Sequence, residues 1–261
     1  MKTRTSLKDF FFPDVRERLY TEELMDRPDA SLKKLKKTID QFDLLNHLFS
    51  SAVSLFRRCI LPELLRDPQR VWTFWDLGAG GADIDRALVR FCRRQGLKVR
   101  FLALDIDDRI IPWAREKSQA YPEIEVFKAS ALELTSLAAH LEVSPDWVLS
   151  NHMLHHLDYP DVLQVLEEAE RVATYGYLLN DLRRSTWAYA GYTIFTGLFV
   201  HGSLAFYDGR LSIQRGFSLP ELENLVSSWP ENQRPQIFPA APARAVLWRQ
   251  KPRAEGMSEA I

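Results

Sequence analysis

Cysteine is nearly missing: Cys59 and Cys92 are the only two in 261 residues. Two thiols cannot staple a small secreted scaffold, and both sit in apolar, helix-like surroundings, so a reducing cytoplasm is the expected compartment. A dominant charge is missing too. Lys and Arg total 34 against 35 Asp and Glu, a formal net charge of −1. A chain this neutral has no global field to hold it on nucleic acid or anionic lipid, so neither is expected as a partner. The first twenty residues carry basic side chains but no sustained apolar run, which argues against a signal peptide. Only residues 187–207 approach the length and apolarity of a membrane span, and Thr193, Thr196, His201, Ser203 and three glycines interrupt them. A buried or lid helix is expected there. Internal repeats are absent. What remains, 46% hydrophobic and 26% charged, suits one globular domain or one domain plus an appendage.

Periodicity divides the chain at about residue 70. Residues 1–69 read as helical. The stretch 17–26 is amphipathic and ends before Pro28. A second helix, with Asp29 or Ser31 as its cap, carries Leu32, Leu35, Ile39, Phe42, Leu45 and Phe49 at helical spacing. Its other face holds Lys33, Lys34, Lys36 and Lys37. An isolated lysine run in a neutral chain reads as a solvated face before it reads as a dock for an anionic partner. A third helix covers 53–65, bent or restarted at Pro62. From Val71 onward, short apolar runs at 71–75, 99–104, 124–129, 146–150 and 175–180 alternate with helical patterns. Segments 236–238 and 244–249 read as a closing antiparallel pair. This alternation predicts an α/β, doubly wound and mainly parallel sheet covered on both faces.

The first strand ends in DLGAGGAD, residues 76–83. A glycine-rich turn between a strand and a helix lets the polar end of a ligand approach the backbone. Dinucleotides are a poor fit. The third glycine of their fingerprint is replaced by Asp83, whose carboxylate would oppose a pyrophosphate by about 4 kcal/mol at 4 Å and an effective dielectric near 20. Asp76 adds a second negative charge. Asp105 ends the next strand, where a carboxylate can accept two hydrogen bonds from a ribose diol. A nucleoside with a cationic tail suits this pocket, and S-adenosylmethionine is such a molecule. Gly78 and Gly80 also have a simpler reading as turn residues, and Asp105 as a helix cap.

Residues 71–185 resemble the class I S-adenosylmethionine-dependent methyltransferases, through DLGAGGAD, LALDIDD, FKASALEL, VLSNHMLHHLD and LLNDLRR. Residues 207–225, YDGRLSIQRGFSLPELENL, resemble the late segment of bacterial small-molecule O-methyltransferases. The resemblance implies a seven-stranded Rossmann-like methyltransferase fold over 70–251, an N-terminal helical cap over 1–69, a substrate-lid insertion at about 185–217 and a flexible tail at 252–261. It also implies roles. Asp76 would hold the cofactor's amino group, and Gly78, Ala79 and Gly80 would admit its amino-acid portion. Asp105 would bind the ribose and Ile106 would pack on the adenine. Ser130 stands where many members have an acid, and would accept from the adenine amine alongside the Ala131 N–H. Asn151 would line the methionine end.

Methyl transfer from a sulfonium is an in-line displacement that depends on alignment, and a hydroxyl acceptor benefits from a local base. The loop Asn151-His152-Met153-Leu154-His155-His156 follows the fourth strand, beside the transferable methyl in this fold. It lacks the Asn-Pro-Pro-Tyr of enzymes acting on nucleobase or glutamine nitrogens. His155 is the expected base, Asp181 its orienting carboxylate, and His156 the reserve. A Mg²⁺ site is not expected, because the acidic partner after the fourth strand is replaced by Ser150-Asn151. His152, Arg183, Tyr189, Tyr192 and Arg215 are the candidates for holding the acceptor. Asn46 and His47 are candidates for reaching the cofactor from the cap. The expected partner is a small, largely apolar molecule with a phenol or alcohol, and a homodimer is compatible with the chain. Methylation of nitrogen or carbon, and a regulatory protein that binds the cofactor without turnover, are the alternatives.

Overall fold

The computed structural model describes residues 10–252. Helices α1 (Leu32–Phe49), α2 (Ala52–Cys59) and α3 (Leu61–Leu64) precede the sheet. The sheet then builds through β1 (Val71–Leu77), α4 (Asp83–Arg94), β2 (Lys98–Asp105), α5 (Ile111–Ser118) and β3 (Ile124–Lys128). It continues through α6 (Leu134–Leu141), β4 (Trp147–Asn151), α7 (Tyr159–Val172) and β5 (Gly176–Leu182). Two helices, α8 (Thr186–Phe199) and α9 (Ala205–Arg215), leave the sheet before α10 (Leu219–Leu225), β6 (Gln236–Ala240) and β7 (Arg244–Gln250) close it.

The spatial order is β3-β2-β1-β4-β5-β7-β6, with β7 antiparallel to both of its neighbours. Alternation along β1 shows why both faces are covered: Trp72 and Phe74 enter one apolar layer, Trp75 and Leu77 the other. The first layer takes Leu55 and Phe56 from α2 and Leu88 from α4. The second takes Leu134 of α6, Val162 and Val165 of α7 and Leu222 of α10. The strand order steps outward in opposite directions from the parallel neighbours β1 and β4, so the crevice beyond their carboxyl ends is where this topology accepts ligands. This is the doubly wound, mainly parallel, seven-stranded Rossmann-like arrangement expected of the sequence.

Three expectations need correction or limits. Residues 17–26 form an irregular strap and no helix. The strap is held by long-range bonds: Asp208 accepts from the N–H groups of Leu24 and Met25 at 2.8 and 3.0 Å, and tertiary contact overrides the amphipathic pattern. The apolar stretch 187–207 is two elements, because α8 stops at Phe199 and α9 starts at Ala205. Among the described residues no helix is long and apolar enough to cross a membrane. Of the expected tail, residues 253–261 lie outside the described residues.

Candidate active site

Register places the site before any side chain is considered. Leu77 lies beside Leu104 of β2 and Ser150 of β4, so three strands end level with one another. The Ala79 N–H donates to the Leu104 carbonyl at 3.0 Å, folding the glycine turn over the end of β2. Gly78 takes φ +65°, and a Cβ there would come within 2.7 Å of Met153 Cγ, so only glycine lets the turn and the histidine loop meet. The Gly80 N–H donates to Asp105 Oδ2 at 2.8 Å, and the Asp107 N–H donates to Oδ1 at 2.9 Å.

A cavity of about 820 Å³ lies over these strand ends. Asp76, Gly78, Ala79, Gly80, Asp105, Ile106, Ser130, Ala131 and Asn151 all line it, as do Asn46 and Asp83. Its floor is acidic. Burial, then the nearby Asp85 and Asp83 carboxylates, push the Asp76 carboxyl well above its usual range. Burial lifts Asp83 to about 6, although Asn46 Nδ2 donates to it at 2.9 Å. Burial and Asp83 lift Asp85 to about 7. Asp85 is fully buried, and among the described residues no N–H donor reaches either of its oxygens. Burial also raises Asp105, against the two backbone N–H bonds that favour its charged form. Such a floor gains from a cation, which relieves carboxylates that cannot all ionise together.

The other side of the cavity is apolar and carries the histidines. Ile39, Phe42, Leu45 and Phe49 of α1 face it with Leu182 and Ile213. Tyr192 of α8 reaches the wall because Gly209 of α9 leaves room for it; a Cβ there would stand 2.1 Å from the phenol oxygen. His155 is buried, and its Nδ1 lies 2.7 Å from Asp181 Oδ1. Its own backbone N–H donates to Asp181 Oδ2 at 2.8 Å. Burial alone would raise Asp181, but His155 and Arg244 outweigh it and hold the carboxyl well below its usual range. An ionised Asp181 keeps the proton of His155 on Nδ1, which turns the Nε2 lone pair away from it. His156 Nδ1 lies 3.0 Å from Asp26 Oδ2. Burial lowers its pKa, yet the Asp26 bond and the Glu23 charge prevail and raise it.

His152 takes φ +66° and meets Arg244, whose Nη1 lies 2.6 Å from His152 Nε2. Burial and the Arg244 charge keep this imidazole neutral, well below its ordinary pKa. Arg244 is itself buried, which lowers its pKa to about 10, and it donates to Asn180 Oδ1 at 2.9 Å and Asn151 Oδ1 at 3.3 Å. Asn151 is thereby fixed at the rim of β4.

Some predicted residues are placed elsewhere. Asp181 stands behind His155, off the cavity wall. Arg215 is off the wall too. Its guanidinium donates to the carbonyls of His155, His156 and Thr21 at 3.1 to 3.2 Å, so it holds the histidine loop and has no acceptor-facing nitrogen assigned. Tyr189 is turned from the cavity and accepts from Arg210 Nε at 2.8 Å. Arg183 and His47 do not line it. Sequence reasoning missed Arg18, Glu23, Asp26, Asp85 and Arg244. Asp85 carried a signal, since it lies two residues past Asp83 in the glycine motif. The strap residues carried none, because their partners lie 130 to 197 positions away.

Comparison with known proteins agrees with this layout. Residues 75–179 match the family model described as a methyltransferase domain. No curated protein matches the chain. Among solved structures, the plantazolicin methyltransferase BpumL with SAH is 12% identical, with a TM-score of 0.56 over 83% of this chain and 77% of that one. Human N-acetylserotonin methyltransferase with SAM is 13% identical, with a TM-score of 0.55 over 85% of this chain and 57% of that one. The pyocyanin biosynthetic protein PhzM is 16% identical, with a TM-score of 0.51 over 88% and 62%. The chain thus spans less than two thirds of the length of the last two. At these identities the likeness is one of fold. The matched family model, over residues 75–179, is that of a methyltransferase domain, and the solved structures share its fold.

Proposed function

We propose that the protein moves the S-adenosylmethionine methyl group to a hydroxyl of a small, largely apolar molecule, with His155 as general base. The observation that carries this reading is the buried His155–Asp181 pair, whose histidine lines the same cavity as Asp76 and Asp105 while Asp181 stands behind it. In it, Asp76 faces the cofactor's ammonium, and Gly78, Ala79 and Gly80 pass its amino-acid portion. Asp105 accepts from the ribose hydroxyls through the lone pairs that Gly80 and Asp107 leave free. Ile106, Ser130 and Ala131 surround the adenine, and Asn151 the methionine end. The acceptor occupies the apolar side, against Phe42, Leu45 and Tyr192, under a lid made by α8, α9 and the strap. His155 Nε2 takes the hydroxyl proton as the oxygen attacks the methyl in line with the departing sulfur. Asp181 stabilises the imidazolium that forms.

Calorimetry with S-adenosylhomocysteine tests the first half; folded protein that takes up none rejects it. For the second half, His155→Ala is expected to lower turnover by about 10²- to 10⁴-fold with cofactor affinity retained. Full turnover by that variant with a phenolic or alcoholic acceptor at every pH would remove the base assignment.

A further inference from the structure

Glu23 is buried although its segment forms neither helix nor strand, and the Ser212 hydroxyl donates to its Oε1 at 2.8 Å. That oxygen lies 3.7 Å from His155 Nε2. With His156 it completes a trio whose ligand-type atoms all lie within 4.8 Å of one another. Each imidazole is gripped at Nδ1 by a second carboxylate, His155 by Asp181 at 2.7 Å and His156 by Asp26 at 3.0 Å. Carboxylates behind histidines fix the tautomer and raise the basicity of the opposite nitrogen, as they do around metal ions.

We propose that Glu23, His155 and His156 form a binding site for a divalent transition-metal ion, with Zn²⁺ as the ion of best fit. Two imidazoles and one carboxylate suit a borderline ion, whereas Mg²⁺ and Ca²⁺ favour all-oxygen shells. Zinc bonds of about 2.0–2.2 Å place tetrahedral ligand atoms roughly 3.4 Å apart. The Glu23–His155 pair is close to that, and His156, 27% exposed, has room to close the remainder. All three residues line the cavity, so the fourth coordination position faces the ligand space. The surrounding charge favours a cation. Arg215 Nη1, 3.8 Å from both Glu23 and Asp26, opposes it, as do Arg18 on the His155 carbonyl and Arg244 near Asp181, but the four carboxyl groups of Glu23, Asp26, Asp181 and Asp208 outnumber these three cations.

The site stands without the acceptor reading, but it has a consequence for the base. A lone pair on His155 Nε2 that holds a metal cannot also take a proton, so metal loading silences base-assisted transfer. The experiment is a calorimetric titration of Zn²⁺ into the full chain, with Co²⁺ absorption as a report on coordination. One equivalent is expected to bind, with visible Co²⁺ bands of a low-coordinate nitrogen and oxygen site. Glu23→Gln and His156→Asn are each expected to weaken binding at least about 10-fold, with the partly exposed His156 variant guarding against a folding failure at Glu23. Absence of stoichiometric binding by folded protein overturns the proposal. So does unchanged affinity in the double variant, which assigns the ion to other histidines. Titration of the same samples with S-adenosylhomocysteine keeps a failure of the cofactor reading distinct from a failure of the metal site.

Discussion

On the side of β1 to β3, the polar groups of the cavity follow directly from strand ends: Asp76 and Asp105 sit on the strands, and the glycine turn and Ser130 come within a few residues. On the side of β4 and β5, the histidine loop is secured from afar. Arg18 donates to the carbonyls of His155 and Leu157 at 2.8 and 2.7 Å across 137 and 139 positions, and to that of Arg215 at 2.6 Å. The first side is the local grammar of a parallel sheet. The second is a clamp that exists only when the strap meets the loop after β4 and the end of α9. The difference predicts that the cofactor side tolerates losses in the strap, while the histidine side does not.

The largest expected effect tests the clamp. Arg18 is buried and lies over the Phe217 ring at 4.1 Å. Arg18→Ala leaves buried carbonyls without a donor and is expected to cost about 3 kcal/mol in denaturant unfolding. It is expected to impair transfer more than S-adenosylhomocysteine binding. Equal loss of both would erase the distinction between the two sides. A smaller effect tests the sheet grammar. Asp105→Asn is expected to weaken S-adenosylhomocysteine binding by about 1–3 kcal/mol, the size of a lost charge-assisted hydrogen bond, read by calorimetry. A change below a few tenths would show that the ribose is held elsewhere.

The smallest effect is one of pH. Asp83 and Asp85 are raised to about 6 and about 7, so the folded state binds more protons than the unfolded one, whose carboxyls titrate near 4. Their contribution is complete below about pH 4 and is lost as pH rises through 6 to 7. The raised His156 acts in the same direction, and Asp181 titrates below this window. The ligand-free protein is therefore expected to melt several degrees lower at pH 8 than at pH 5.5, about 5 °C by thermal unfolding. S-adenosylhomocysteine, whose ammonium would neutralise the floor, is expected to flatten that slope. A slope unchanged by the ligand would separate the acidic cluster from cofactor binding.

Legibility in the sequence followed the same division. β-Branched and aromatic runs ending in DLGAGGAD and LALDIDD announced β1 and β2 to within a residue or two, because a strand buried on both faces leaves a continuous apolar mark. The apolar stripe of α1 was also legible, and Phe42, Leu45 and Phe49 now form cavity wall. The strap was misread. Its amphipathic pattern resembles a helix, yet Glu23 and Asp26 face the histidine loop as single anchors. Arg215 was read as a contact for the acceptor because a lone arginine near a lid looks available; three backbone carbonyls already take its donors.

The sequence by itself determined the layer order, the carboxyl-edge crevice and the acids that line it, since each depends on spacing within one strand-turn-helix unit. Only the tertiary structure decided that Asp26 stands behind His156 and that Glu23 lies beside both histidines. Those relations join residues more than a hundred positions apart, and no period or motif in a chain encodes a contact at that range.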